Sequence, residues 1–97
     1  MSRISPEAID NILSRRSIRR FDPSEKVDNV SLKTVLECAC AAPSANNYHP
    51  WHFIVVDSRE TLDSMADLHP YGKMLKSAPL AIVVCAETER DGKVLRY

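Results

Sequence analysis

The run Leu80-Ala81-Ile82-Val83-Val84-Cys85-Ala86 contains no polar residue and follows Pro79, so it reads as a central strand covered on both faces. A second run, His52-Phe53-Ile54-Val55-Val56, is too short and too β-branched for a helix and reads as a buried strand as well. Strands of this kind need neighbours on both edges, because an open edge leaves a row of backbone donors and acceptors unmatched. Two such strands cannot complete a sheet by themselves, and the charged stretch from Glu87 to Tyr97 has no strong period and is expected to add no element. Residues 1–97 are therefore expected to be one portion of a single α+β domain, incomplete as a single chain. A dimer partner or a missing C-terminal half would supply the other strands. No internal repeat or low-complexity linker marks a second domain.

Helices account for much of the rest. Ser5-Pro6-Glu7 combines an N-cap, a proline at the first helical position and an acid on the favourable side of the helix dipole. Ile9, Ile12 and Leu13 then recur at helical spacing, with Arg15 and Arg16 at the C-terminal end. A second helix is expected from Asp28 or Val30 to Ala42, placing Leu32, Val35, Leu36 and Ala39 on one face that belongs to the core. Ser58 offers a cap for a third, with Leu62, Met65 and Ala66 as its apolar stripe, ending before His69-Pro70-Tyr71-Gly72. A short helical turn around Lys73 to Ser77 precedes Pro79.

The composition excludes several classes. With 97 residues, 44% of them apolar, and zero formal net charge, the chain has the profile of a small soluble domain without the basic excess of a nucleic-acid binder. No apolar run approaches the roughly 20 residues of a membrane span, and Met1-Ser2-Arg3-Ile4-Ser5-Pro6 lacks the apolar core of a secretion signal, so a cytoplasmic location is expected. Cys38, Cys40 and Cys85 are expected as buried thiols. The first two are a spacing apart that points them away from each other on a helix, and no CxxC or HxxxH pattern brings in His49, His52 or His69 as metal ligands.

Two segments carry chemistry. Ala42-Pro43-Ser44-Ala45-Asn46-Asn47-Tyr48-His49-Pro50-Trp51 brackets short polar side chains between prolines and ends on the only tryptophan. Proline fixes φ, which makes the loop stiff, and the two asparagine amides have the donors and acceptors to read the edge of a heteroaromatic ring. The alternative is a helix-to-strand connection whose Asn and Ser satisfy their own backbone. Arg15-Arg16-Ser17-Ile18-Arg19 gathers three guanidinium groups and a hydroxyl at a helix end, enough to grip a phosphate. In extended geometry Ser17 and Arg19 share a side and Ile18 points into the core. The alternative is that these arginines are solvated and cap the carbonyls of the preceding helix.

Taken together, in this order and with one helix between them, the two segments resemble the R-R-S-x-R and A-P-S-x-x-N-x-x-P-W motifs in the N-terminal half of the nitroreductase family of FMN enzymes. Lys73-Met74-Leu75 and Ala78-Pro79 to Val84 are similar to the family's approach to its next central strand. The resemblance implies helices packed on a central β-sheet and an obligate homodimer with FMN at the interface, reached by the two motifs from different subunits. It gives Arg15, Arg16, Ser17 and Arg19 the phosphate side and Pro43, Ser44, Ala45 and Asn47 the opposite wall. His49 stands where the family often has Gln. Trp51 is a packing anchor. The implied activity is hydride transfer from NAD(P)H to FMN and onward to a nitroaromatic or quinone, with no catalytic side chain of the protein required. The family's domain runs to roughly twice this length, so the resemblance covers an N-terminal half. A non-catalytic flavin- or phosphate-binding or dimerisation module is the alternative function.

Overall fold

In the computed structural model, which describes residues 5–95, three helices and two small antiparallel sheets follow one another along the chain. Helix α1 (Pro6–Ser14) begins as its sequence predicts: the Ser5 hydroxyl oxygen accepts from the Ala8 N–H at 3.4 Å, and Pro6 occupies the first turn. The same hydroxyl donates to Glu7 at 2.7 Å, which lowers that carboxyl's pKa. Helix α2 (Asn29–Cys40) starts at Asp28, whose carboxylate accepts from the Ser31 N–H at 2.7 Å and its hydroxyl at 3.1 Å. Helix α3 (Arg59–Leu68) is capped by Ser58 through the Thr61 N–H.

The tightest packing lies where α3 meets the 3-10 turn Lys73–Lys76. Leu62 is 1% exposed, and Ala66 and Ala78 are also buried. Arg59, at the first position of α3, reaches across this joint. Its guanidinium donates to the Ala78 carbonyl at 2.8 Å and to the Leu75 carbonyl, while pairing with Asp63 one turn along the helix. The backbone of the approach to the next strand is thus pinned to α3 by one side chain.

Strands β1 (Trp51–Val56) and β2 (Ala81–Ala86) pair antiparallel, with Trp51 opposite Ala86 and Val56 opposite Ala81. The apolar run of β2 predicts a central strand with both faces covered. Among the described residues each strand instead has a single partner, and Val84 is 69% and Ile54 53% exposed. The expectation for α2 is corrected in the same way. Leu32, Leu36 and Ala39 are half-buried and Val35 is exposed, so no residue of this helix is buried. Ile18 is 66% exposed rather than in the core. Cys38 and Cys40 are exposed and Cys85 is half-buried, where buried thiols were expected. One physical cause covers all four differences: a side chain is buried by what packs on it, and residues 5–95 supply little to pack on these faces. The radius of gyration is 16.9 Å, against about 13 Å for a compact domain of this length.

The stretch after β2 also departs from expectation. A hairpin forms there from β3 (Glu89–Arg90) and β4 (Lys93–Val94). Its turn is Asp91-Gly92, and both residues have positive φ, 52° and 76°, as a tight two-residue hairpin turn requires. At the entrance to the hairpin the Glu87 carboxylate accepts from Arg90 Nε and meets His52 Nε2 of β1, each at 2.8 Å. The Arg90 bond, then the His52 bond, hold this carboxyl at about 2 rather than 4.5.

Two outcomes test this account. Leu62→Ala is expected to cost about 2–5 kcal/mol of stability in urea unfolding, whereas Leu68→Ala, at a residue 85% exposed, should stay within about 0.5 kcal/mol of the parent. Between pH 4.5 and about 2 the folded chain binds fewer protons at Glu87 than the unfolded chain does. Its stabilising contribution is therefore full above that window and lost as pH falls through it. Protection factors of the Glu89–Val94 amides, taken against the intrinsic exchange rate at each pH, should fall there, and Glu87→Gln should remove that fall.

Candidate functional site

The segment between α2 and β1 does not run straight. Pro43 follows the end of α2, Ser44 is extended, and Ala45–Asn47 form a 3-10 turn. Asn46, Asn47 and His49 all have left-handed backbone, with φ of 54°, 56° and 48°. A residue with a Cβ adopts that conformation at a cost of roughly 1–2 kcal/mol, and asparagine is among the residues that tolerate it best. The loop's own hydrogen bonds offset part of this cost. The Ser44 hydroxyl oxygen accepts from the His49 N–H at 2.9 Å, the Ser44 carbonyl from the Asn47 N–H at 3.1 Å, and the Ala45 carbonyl from the Tyr48 N–H at 3.3 Å. The His49 ring stands edge-on to Trp51 with centroids 5.1 Å apart, and Pro50 between them is buried. Of the alternative in which Asn and Ser satisfy their own backbone, the serine part is realised, whereas among the described residues no side-chain bond of Asn46 or Asn47 to the loop is seen.

That arrangement also opens a cleft. Pro43, Ser44 and Ala45 form one side and Val84, Cys85 and Ala86 of β2 another, with Pro50 and Trp51 joining them, around a volume of about 310 Å³. Three of the four residues expected on the flavin wall are thus brought together, and Asn47 is not among the lining residues. The walls are proline rings, an indole and small aliphatic groups, a surface chemistry that suits a flat aromatic ring system.

The arginine segment lies elsewhere. Arg15, Arg16, Ser17 and Arg19 follow α1 in irregular structure, are exposed, and do not line this cleft. Arg16 Nη1 donates to the Leu13 carbonyl at 3.0 Å and to the Arg15 carbonyl at 2.8 Å, so this arginine caps the helix that precedes it. Arg15 and Arg19 lie in the same exposed, irregular stretch.

Sequence reading missed the residues that fasten the loop from outside. Arg90 Nη1 donates to the Tyr48 carbonyl at 2.8 Å, its guanidinium lies 5.7 Å from the centre of the Tyr48 ring, and the Glu87 N–H bonds the Pro50 carbonyl. The nearest signal is Asp91-Gly92, a strong hairpin marker that folds β4 back on β3 beside Glu87 and Arg90. No helix among the described residues is long and apolar enough to cross a membrane.

Comparison with known proteins places these features. The sequence profile described as Nitroreductase family matches residues 12–70. A protein of Methanothermobacter thermautotrophicus, provisionally named NADH dehydrogenase/NAD(P)H nitroreductase, is 42% identical over 85 residues, covering 88% of this chain and 44% of its own length. The crystal structure of a protein with the same provisional name from Bacteroides thetaiotaomicron matches with a TM-score of 0.83 at 39% identity, covering 88% of this chain and 50% of that one. A provisionally named nitroreductase from Exiguobacterium sibiricum, crystallised in complex with FMN, matches with a TM-score of 0.77 at 28% identity, over 92% of this chain and 43% of that one. The chain spans about half the length of the relatives it matches. With its α+β fold shared by those structures and the family profile extending from α1 to the end of α3, the chain belongs to the nitroreductase family.

Proposed function

We propose that this chain forms flavin-binding walls of an FMN-dependent NAD(P)H oxidoreductase, acting as a cytoplasmic homodimer on a nitroaromatic or quinone acceptor. The observation that carries the reading is the cleft in which Pro43, Ser44 and Ala45 meet Trp51 and β2. Bound FMN would supply the redox chemistry, hydride acceptance from NAD(P)H and release of reducing equivalents to the acceptor. The chain's own residues bind and orient. Pro43 and Ala45 would cover one face of the bound ring, and Ser44 shapes the loop through its bonds to His49 and Asn47. Asn47, held in a left-handed turn beside this wall, would reach the flavin from outside the cleft lining.

Arg15, Arg16, Ser17 and Arg19 would hold the phosphate. Guanidinium groups bind phosphate oxygens in pairs and stay charged at any relevant pH, and the serine hydroxyl adds a neutral donor. Arg16 is already committed to the Leu13 and Arg15 carbonyls and serves mainly to fix the segment's path. The placement of this segment outside the cleft favours a dimer in which one copy's arginines complete the other copy's cleft. Exposed apolar residues on α1 and in the segment after it, with Ile12 72% exposed, add to the case for a covering partner.

Calorimetric titration of the chain with FMN and with riboflavin tests the assignment. FMN is expected to bind about 10- to 100-fold more tightly, the range for charge-assisted phosphate contacts. The Arg15→Ala/Arg19→Ala double variant should bring the two ligands close to equal. An FMN preference unchanged in that variant, or no binding of either flavin, would contradict it.

A further inference from the structure

Three left-handed residues within four positions need more than the loop's internal bonds to persist, because a strained backbone survives only where its surroundings over-determine it. The surroundings here come from a hairpin distant in sequence. Arg90 is the joining group: one nitrogen donates to the Tyr48 carbonyl, between the left-handed Asn47 and His49, and another donates to Glu87, both at 2.8 Å. Glu87 is itself fixed from two sides, by His52 of β1 and by its own N–H on the Pro50 carbonyl. The guanidinium also packs against the Tyr48 ring. These bonds end on the backbone at Tyr48 and Pro50, on either side of His49, and Pro50 is itself a cleft-lining residue.

We propose that Arg90, oriented by Glu87, is a positioning residue for the flavin wall: it locks the Ser44–Pro50 backbone in the shape that lets Pro43, Ser44 and Ala45 line the cleft. The planar fork of arginine serves both acceptors at once, which a single ammonium cannot do with the same geometry. The link to flavin rests on the function proposed above, whereas the lock on the loop stands without it.

The test has two separate readouts on Arg90→Ala, Arg90→Lys and Glu87→Gln chains, with Lys93→Ala in the same hairpin as control. The first is amide exchange of Asn47, Tyr48 and His49 in the flavin-free chain, whose donors are internal to the loop. It is expected to accelerate about tenfold or more in Arg90→Ala, with partial rescue in Arg90→Lys. Glu87→Gln should give a smaller rise, and Lys93→Ala none, while β1 and β2 amides stay protected in all four. The second is FMN affinity, expected to fall about tenfold in Arg90→Ala and to follow the same order across the variants. Unchanged loop exchange in Arg90→Ala overturns the lock. Faster exchange with unchanged FMN affinity overturns the positioning role, and global loss of strand protection in Arg90→Lys and Glu87→Gln alike overturns it in favour of a general structural role. If the parent chain binds no FMN, the functional reading fails while the exchange data still decide the lock.

Discussion

The antiparallel register of β1 on β2 is the constraint on which the site depends. Pairing Trp51 with Ala86 places the exit of the proline-bracketed loop beside the entrance of the terminal hairpin. From that adjacency the Glu87 N–H reaches the Pro50 carbonyl, His52 reaches the Glu87 carboxylate, and Arg90 reaches Tyr48. The same register sets Val84, Cys85 and Ala86 opposite Pro43, Ser44 and Ala45, so the cleft exists because the strands are aligned as they are. A slip of one residue would turn every side chain of β2 to the other face and remove both the cleft wall and the anchor.

Caps and turns were readable because their chemistry is local. Ser5 and Ser58, the two caps the sequence marks, each accept from a backbone N–H three residues on, and their helices begin at the next residue; Asp28 does the same for α2, whose start the sequence left between Asp28 and Val30 and whose end falls at Cys40 rather than Ala42. The stripe Leu62, Met65 and Ala66 was readable for a related reason: helical spacing puts these residues on one face, and the turn after α3 covers it. Ile18, Val35 and the cysteine thiols are more exposed than the sequence predicts, because apolar character says that a residue can be buried and not what buries it. The hairpin of β3 and β4 escaped because its strands are short and charged, leaving Asp91-Gly92 as their one strong signal.

For the site, residue identity was legible and assembly was not. Pro43, Ser44 and Ala45 meet in one cleft, whereas Asn47 and the four residues of the arginine segment do not line it. Arg16 takes the capping role that was the competing reading. Arg90 lies 42 residues beyond Tyr48, a separation at which no local pattern signals contact. Membership in the nitroreductase family explains why the two motifs occur together in order, and the geometry explains why one copy of this stretch presents them on separate surfaces.

The central claim is that the cleft beside Pro43–Ala45 receives a flavin ring whose phosphate is held by arginines of a second copy. A crystal structure of this chain grown with FMN tests it directly. The account predicts ring density against Pro43, Ser44 and Ala45 and phosphate density at Arg15 and Arg19 of the partner. Ring density away from that cleft, or phosphate bound without either arginine, would contradict it.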